Sequence, residues 1–246
     1  MRNNILLLGG SGKLGSKIIK SKFFLNLKYP TKKKLNILNK KCIKSFLITH
    51  NIEIVIHCAA LARVKECELN RIRAKRINID GTKNIVESIL EIKKKLKKDI
   101  KLVFISTDAV YSPSKGNNKE TDRLNPYNYY GITKLNGEKL VKRLNNYVII
   151  RTRFFDKKNI PFKFSAVNIY SSALEVSLLV KYIYKLIKKN FEGVINVGGS
   201  KISDYKKYKK YKKNLKPCDK NRILDQLNFK IATDASLNIT KLKKIL

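Results

Sequence analysis

Short apolar runs alternate along this chain with longer segments in which apolar residues recur every three to four positions. The runs are typical of buried strands, and they occupy positions 5–8, 52–58, 101–106, 147–150 and 193–198. The longer segments predict amphipathic helices, with Ile85, Ile89, Ile92 and Leu96 on one face of a helix and a similar stripe over 176–187. Strands that alternate with helices predict an α/β fold with a parallel sheet covered on both faces.

The alternation is regular through residue 153 and less regular afterwards. A chain of 246 residues suits one large domain, or a core with a smaller lobe. We therefore predict a Rossmann-type, doubly wound parallel sheet over 1–153 that binds NAD(P). Residues 154–246 are predicted to form a small, reduced substrate-binding lobe that partly returns to the core.

A glycine-rich turn follows the first predicted strand. Gly9, Gly12 and Gly15 are spaced three apart, and apolar positions at helical spacing come next. A strand, a tight turn and a helix N-terminus bring backbone N–H groups and a positive helix end towards a diphosphate. The alternative is a glycine turn that binds nothing, but its place between strand and helix favours a dinucleotide site.

The residues after this turn bear on the choice of cofactor. In NAD-binding folds an acidic residue about 20 positions past the turn accepts the ribose hydroxyls. No Asp or Glu occurs before Glu53, and Lys32, Lys33 and Lys34 occupy that region. We expect lysine to meet a 2′-phosphate, which favours NADPH, with NADH as the alternative. A basic surface turn without a binding role is the other interpretation.

The basic excess is extreme, at 55 Lys and Arg against 18 Asp and Glu. Such a charge is typical of nucleic-acid or anionic-membrane binders. Here, however, the lysines are spread over nearly every predicted helix, which indicates a solvated basic surface. We therefore expect no specific nucleic-acid partner, only weak electrostatic binding at low salt.

Cysteine and histidine are too sparse to form a metal site or a disulfide framework. The chain has four cysteines without a CxxC pair and two histidines. No apolar run approaches the roughly 20 residues of a membrane span. These features favour a cytoplasmic protein with reduced cysteines and no metal. His57, inside a predicted strand, is interpreted as a core histidine.

Tyr130 and Lys134 are four residues apart, so they share one face of a helix. A nearby ammonium lowers the pKa of a tyrosine, which can then give a proton to a carbonyl oxygen as hydride arrives. The same spacing also begins at five other tyrosines: Tyr29, Tyr111, Tyr184, Tyr205 and Tyr208. Only Tyr130 follows a strand that ends in Ser106-Thr107 downstream of a glycine turn, so its context selects it.

These motifs carry a resemblance to a known family. The glycine turn at 9–15, Cys58-Ala59-Ala60, the stretch 105–111 and Tyr130-Gly131-Ile132-Thr133-Lys134 resemble the extended short-chain dehydrogenase/reductases. Within that superfamily, the stretches 62–68 and 235–242 are similar to the dTDP-4-dehydrorhamnose reductase (sugar nucleotide-binding) group. The match is good over 1–155 and faint beyond.

The resemblance implies an NADPH-dependent reductase of a nucleotide-linked 4-keto sugar. It implies that Tyr130 is the acid/base, that Lys134 orients the nicotinamide ribose and tunes Tyr130, and that Thr107 bonds the reacting oxygen. The implied catalytic residues are Thr107, Tyr130 and Lys134; the cofactor residues are Gly9, Ser11, Gly12, Lys13, Leu14, Lys32, Ala59, Ala60, Leu61, Ile105, Tyr130 and Lys134; and the substrate residues are Thr107, Asp108 and Phe154.

Departures from the group concern the substrate. Phe154 stands where the group often has Trp, Ala62 where it often has Thr, and the stretch 155–172 is short. A nucleotide-sugar epimerase or dehydratase and a non-catalytic NADP-binding regulatory homologue are the competing hypotheses. Dehydratases usually carry Asp-Glu after the catalytic Thr, whereas Asp108-Ala109 follows here, which favours the reductase. A homodimer is a further open expectation.

Overall fold

The structure is a computed structural model that describes residues 3–246, so the first two residues of the predicted segment 1–153 lie outside it. The strands, in chain order, are β1 (Ile5–Leu8), β2 (Leu27–Lys28), β3 (Ile54–His57), β4 (Lys101–Thr107), β5 (Tyr147–Thr152), β6 (Phe154–Phe155), β7 (Phe164–Ala166), β8 (Tyr170–Ser171), β9 (Leu174–Glu175), β10 (Gly193–Val197), β11 (Ile202–Ser203), β12 (Lys216–Cys218) and β13 (Asp234–Ala235).

Helices pack on both faces of the central sheet. They are α1 (Lys13–Lys20), α2 (Lys40–Thr49), α3 (Val64–Leu69), α4 (Arg71–Lys75), α5 (Gly81–Leu96), α6 (Tyr129–Val141), α7 (Val176–Lys188), α8 (Asp204–Lys209), α9 (Lys220–Leu224) and α10 (Thr240–Ile245). A π-helical turn, Arg76–Asp80, joins α4 to α5, and a 3₁₀ turn, Asp108–Val110, follows β4. No helix of residues 3–246 is both long enough and apolar enough to cross a membrane.

The central sheet has six strands in the order β10-β5-β4-β3-β1-β2, and every neighbouring pair is parallel. The chain runs from β1 outwards to β2 and then returns to the other side of β1 for β3. This reversal creates a crevice beyond the carboxyl ends of β1 and β3, where ligands bind in doubly wound folds. The predicted Rossmann-type α/β fold is confirmed.

Two hydrophobic layers sandwich the sheet, because successive side chains of a strand point to opposite faces. In β1, Ile5 and Leu7 pack with the apolar faces of α1, α7 and α10. Leu6 and Leu8 pack with those of α2 and α5 on the other side. The four β1 side chains are all buried, so this short strand anchors both layers and holds the glycine turn that follows it.

Residues beyond 153 contribute both to the central core and to three small sheets. α7 packs against α1 and β10 closes one edge of the central sheet, so this part of the chain belongs to the core. The remaining strands form three small sheets, β11-β8-β13, β12-β7 and β6-β9. The boundary between 153 and 154 stays a prediction.

Two local features of the structure do not follow from the pattern of the sequence. The segment 63–76 reads as one charged helix in the sequence, but it breaks at Asn70 into α3 and α4. The Asn70 side chain accepts a hydrogen bond from the Arg73 N–H, so it starts a new helix rather than continuing the first. α2 was not predicted at all, because only Ile43 and Leu47 of its ten residues are buried.

Candidate functional site

The crevice begins where β1 turns into the glycine-rich segment. Gly9 has φ +89°, and a Cβ on it would lie 2.6 Å from the backbone N of Ala59. Only glycine allows this conformation and this approach between the ends of β1 and β3. The turn therefore lies directly against Cys58-Ala59-Ala60.

Two adjoining cavities open from this crevice, of about 900 Å³ and 660 Å³, which we call the main and the side cavity. They share Gly9, Ser11, Gly12, Ala60 and Leu61 in their walls. The other predicted site residues divide between them: the main cavity is lined by Lys13, Leu14, Ile105, Thr107, Asp108, Tyr130, Lys134 and Phe154, and the side cavity by Lys32 and Ala59. The structure thus brings all the predicted site residues to one crevice.

The N-terminus of α1 faces this crevice and is chemically open to an anion. Gly12 precedes the helix, and no side chain caps it. The first backbone N–H groups of a helix have no carbonyl partner within it. An uncapped, glycine-bordered helix end with a positive dipole fits the diphosphate of a dinucleotide.

α6 brings Tyr130 and Lys134 to the crevice. The side chain of Asn128 caps the helix by accepting a hydrogen bond of 2.8 Å from the Gly131 N–H. A Cβ on Gly131 would lie 2.4 Å from the Ala109 carbonyl oxygen, so glycine lets the helix pack closely against the turn after β4. This contact places Tyr130 beside Thr107.

Burial raises the pKa of Tyr130 above its ordinary value, and the negative charge of Asp108 raises it further. The Thr107 side chain opposes that shift only in part. The sequence-based expectation that Lys134 lowers this pKa differs from the direction found here, because burial and the charge of Asp108 together outweigh the groups that lower it, Thr107 and Arg153. Tyr130 is therefore a neutral phenol that holds its proton at ordinary pH.

Lys134 is a buried lysine in the wall of the main cavity. It is 2% exposed, and its Nζ lies 3.9 Å from the centroid of the Phe104 ring. Among residues 3–246 the structure records no hydrogen bond or ion pair for this ammonium. Burial lowers the pKa of Lys134 to about 7, while Glu138 and Cys58 oppose the shift.

Buried donors usually have partners. The unpaired ammonium of Lys134, in the wall of the main cavity, thus fits the hydroxyls of a nicotinamide ribose. Together with the open end of α1, this satisfies the chemical requirements of a dinucleotide. Within the described part of the chain, no group of three or more His, Cys, Asp and Glu side chains could hold a metal ion.

Thr107 and Asp108 line the main cavity together with Tyr130. The Thr107 hydroxyl donates to Asp108 Oδ1 at 3.2 Å, and Arg153 Nε lies 2.7 Å from Asp108 Oδ2. Burial raises the pKa of Asp108, and Arg153 opposes the shift. Arg153 was not among the predicted site residues; its signal in the sequence is its position directly after β5, whose Thr152 pairs with Thr107 of β4.

A buried ion pair holds α6 to the sheet and was also missed. Arg151 of β5 donates to Glu138 of α6 at 3.0 and 2.7 Å, and Ser106 of β4 donates to the same carboxylate at 2.6 Å. Arg151 also donates to the Tyr111 hydroxyl at 2.8 Å. Because Ser106 precedes Thr107 and Glu138 is one helical turn after Lys134, this network fixes the reacting groups relative to one another.

Asn78 anchors the cofactor wall to α6. Its side chain accepts from the Leu61 N–H at 2.8 Å, and it donates to the Leu61 carbonyl and to the Thr133 hydroxyl. Asn78 lies in the π-helical turn, a feature that is frequent at functional sites. Asn78 was not among the predicted site residues.

The basic residues near the side cavity differ from the expectation. Of the three lysines expected to meet a 2′-phosphate, only Lys32 lines the cavity, and Arg73 of α4 lines it as well. Lys33 and Lys34 are exposed and lie outside its wall. Arg73 could not be placed there from the sequence, because α4 is distant from the glycine turn along the chain.

Comparisons with known proteins agree with this geometry. The family model of the RmlD substrate binding domain matches residues 1–178. The chain is similar to methionine adenosyltransferase 2 subunit beta of Bos taurus, with 29% identity over 116 residues that cover 47% of this chain and 33% of that protein. It is also 29% identical over 154 residues to the dTDP-4-dehydrorhamnose reductase of Aggregatibacter actinomycetemcomitans, covering 60% and 50% of the two chains.

The matched regions thus span between a third and a half of the length of these curated relatives. Among solved structures, the dTDP-4-dehydrorhamnose reductase of Bacillus anthracis str. Ames in complex with NADP superposes with a TM-score of 0.87. The two chains are 24% identical, and the superposition covers 99% of this chain and 93% of the other. At this identity the likeness shows the fold, over nearly the whole chain.

Proposed function

The chain belongs to the RmlD substrate binding domain family, and from this premise we propose that it is an NADPH-dependent reductase of a nucleotide-linked 4-keto sugar. The family match confirms the family predicted from the motifs. The observation that carries the proposal is the meeting of three groups in one cavity. Tyr130 supplies a phenolic proton, Thr107 a hydroxyl and Lys134 an unpaired ammonium. The similarity to the Aggregatibacter actinomycetemcomitans reductase supports the choice of reaction.

The proton donor is Tyr130. Its raised pKa keeps it protonated at ordinary pH, so its O–H gives the proton to the carbonyl oxygen of the sugar and leaves a phenolate. Lys134, in its ammonium form, would stabilise that phenolate. The Thr107 hydroxyl, which donates to Asp108 in this structure, would turn its single proton to the same sugar oxygen when the substrate enters.

The proposed cofactor is NADPH, which supplies the hydride when bound. The open end of α1 would hold the diphosphate, and Lys134 would hold the nicotinamide ribose. Lys32 and Arg73 are the cations beside the side cavity that would meet a 2′-phosphate. The Bacillus anthracis reductase of the same fold was determined with NADP, which is consistent with this choice.

The first prediction tests the cofactor preference. Lys32→Ala should weaken NADPH binding by roughly tenfold and leave NADH binding unchanged, because a charged hydrogen bond contributes about 1.5–3 kcal/mol. Lys33→Ala is the matched control, since Lys33 does not line the cavity. Both ligands are titrated by nicotinamide fluorescence. Equal affinity of the wild type for NADH and NADPH would contradict the NADPH assignment.

The second prediction tests the reaction. Tyr130→Phe removes only the hydroxyl, so NADPH binding should persist while turnover falls by roughly 10²–10⁴, the usual contribution of a positioned acid. Tyr129→Phe is the control, because that ring packs beside Tyr130 outside the cavity wall. The assay follows NADPH oxidation with nucleotide-linked 4-keto sugars. Wild-type turnover by Tyr130→Phe would refute the assignment.

One alternative has its own support. The chain is similar to a subunit named methionine adenosyltransferase 2 subunit beta, so a regulatory NADP-binding protein is the second candidate. A wild-type chain that binds NADPH and reduces no nucleotide sugar would favour this candidate. An epimerase would instead retain an oxidised cofactor after purification.

The proposal includes a cytoplasmic location and a homodimer. The free, exposed thiol of Cys42 supports a reducing compartment. Analytical ultracentrifugation of the cofactor-loaded chain tests the dimer, and a monomer at micromolar concentration would remove it from the proposal.

A further inference from the structure

The guanidinium of Arg153 has hydrogen-bonding capacity that the protein does not use. Its Nε pairs with Asp108, and the Tyr127 hydroxyl also lies beside it. The structure records no other hydrogen bond or ion pair of the Arg153 side chain within residues 3–246. Arginine carries five N–H donors, its side chain is 32% exposed, and that exposure is in the wall of the main cavity.

Arg153 offers its unused donors in a part of the main cavity wall that is otherwise largely apolar. The neighbouring walls are apolar and comprise Phe154, Ile169, Ile231 and Ala232. The other charged group there, Asp204, is already bonded to Lys207 and Ser171. A ligand oxygen at this part of the wall therefore meets Arg153.

The position of Arg153 relative to the reacting oxygen follows from the strand register. Thr107 pairs with Thr152, so Arg153 comes one residue after the partner of Thr107. The Asp108 carboxylate lies between the two, bonded to Thr107 through one oxygen and to Arg153 through the other. Arg153 thus lies on the far side of Asp108 from Thr107, where it is placed for a sugar oxygen other than the reacting one.

We propose that Arg153 donates to an exocyclic oxygen on carbon 6 of the substrate sugar, two carbons from the reacting C4 carbonyl. This inference rests on the proposed reduction at C4. A hydroxymethyl group and a carboxylate share the acceptor chemistry, and the terminal N–H groups of arginine match a carboxylate with two bonds. A 6-deoxy sugar would face these donors with a methyl group, and sites built to hydrogen-bond an oxygen reject analogues that lack it.

The experiment measures binding to the NADPH complex, in which sugars with a C4 hydroxyl cannot react. Three nucleotide sugars that differ only at C6 are titrated by calorimetry: the carboxylate, the hydroxymethyl and the methyl compound, each with uridine and with thymidine diphosphate. The wild type should bind at least one oxygenated sugar about tenfold or more tightly than the methyl compound. The tighter of the two oxygenated sugars identifies the group that Arg153 meets.

Arg153→Met should erase this preference while NADPH affinity stays unchanged. Because the variant leaves the buried Asp108 without its cation, Asp108→Asn/Arg153→Met is measured beside it, and Arg143→Met on the surface after α6 is the control. A wild type that binds all three sugars equally would overturn the inference. So would an Arg153→Met variant that weakens all three by the same factor, since Arg153 would then contact another oxygen.

The two proposals fail differently. Reduction of 4-keto sugars without any C6 preference would overturn only the role of Arg153. Failure of every sugar to bind beside NADPH would overturn the proposed function and this inference with it.

Discussion

Burial, rather than the pairing of charges, determines the protonation of the two proposed catalytic residues, Tyr130 and Lys134. Tyr130 and Lys134 each lose solvation in the crevice, which raises the pKa of the phenol and lowers that of the ammonium towards neutrality. Both shifts favour the neutral form of the group. Before ligands enter, the site is therefore a neutral acid beside a lysine that is only partly charged near pH 7.

His57 shows the same effect with a consequence for stability. It is 1% exposed, its Nε2 bonds the Thr82 hydroxyl, and its Nδ1 has no partner among the described residues. Burial, helped by the positive charge of Lys134, lowers the pKa of His57 to about 3. His57 is thus a core histidine, as the sequence indicates, and it stays neutral in the folded state.

The third prediction follows from that shift. An unfolded chain takes up a proton on this histidine near pH 6.5 and the folded chain does not. The free energy of unfolding should therefore fall as the pH is lowered from about 6.5, by up to about 1.4 kcal/mol per pH unit. His57→Gln should flatten this slope between pH 6.5 and 4.5 in urea denaturation. His50→Gln, at the half-buried end of α2, is the control and should keep it; equal slopes in the two variants would contradict the assignment.

At the scale of elements, the position of α6 depends on one buried ion pair. Arg151 and Glu138 are 2% and 1% exposed, and removing one of them leaves a charge without a partner in the core. The fourth prediction is that Arg151→Met lowers the free energy of unfolding by about 3–5 kcal/mol. Lys93→Met breaks an exposed pair with Asp99 and should cost at most about 1 kcal/mol.

The measurement for this prediction is equilibrium denaturation with urea at pH 7. The double variant Glu138→Leu/Arg151→Met removes both charges and should recover part of the loss. A double variant less stable than Arg151→Met would show that packing, rather than the uncompensated charge, dominates.

The elements that the sequence predicts well are those with a strong local signal. β1 and the glycine turn can be predicted because an apolar run and a close backbone approach restrict which residues can occupy adjacent positions. α2 has too few buried positions to show its period, and the break at Asn70 depends on a single side-chain cap. Arg153 and Arg73 reach the cavities through strand register and helix placement, which no local pattern contains.

At the scale of the whole molecule, the net charge of +37 is distributed around the protein. Lysines occur in the last turns of α1, α7 and α10 on one side of the sheet and in the last turn of α5 on the other. α2 adds Lys40 and Lys44, which pair with Glu91 of α5. The cations of these described helices lie on both layers rather than on one face, so we interpret the basic surface as solvated.

The fifth prediction concerns the consequence of this surface for nucleic acids. A dispersed set of lysines neutralises phosphates without reading bases, so duplex DNA of any sequence should bind with similar affinity at low salt. Because such binding depends on counterion release, it should disappear by about 0.2 M salt. A mobility-shift series with two unrelated duplexes across salt concentrations measures both properties. Saturating NADPH should leave the shift nearly unchanged, since its proposed site is in the crevice and most of the lysines lie outside the walls of the two cavities. A complex that prefers one sequence and survives above about 0.2 M salt would mean that the lysines form a recognition surface.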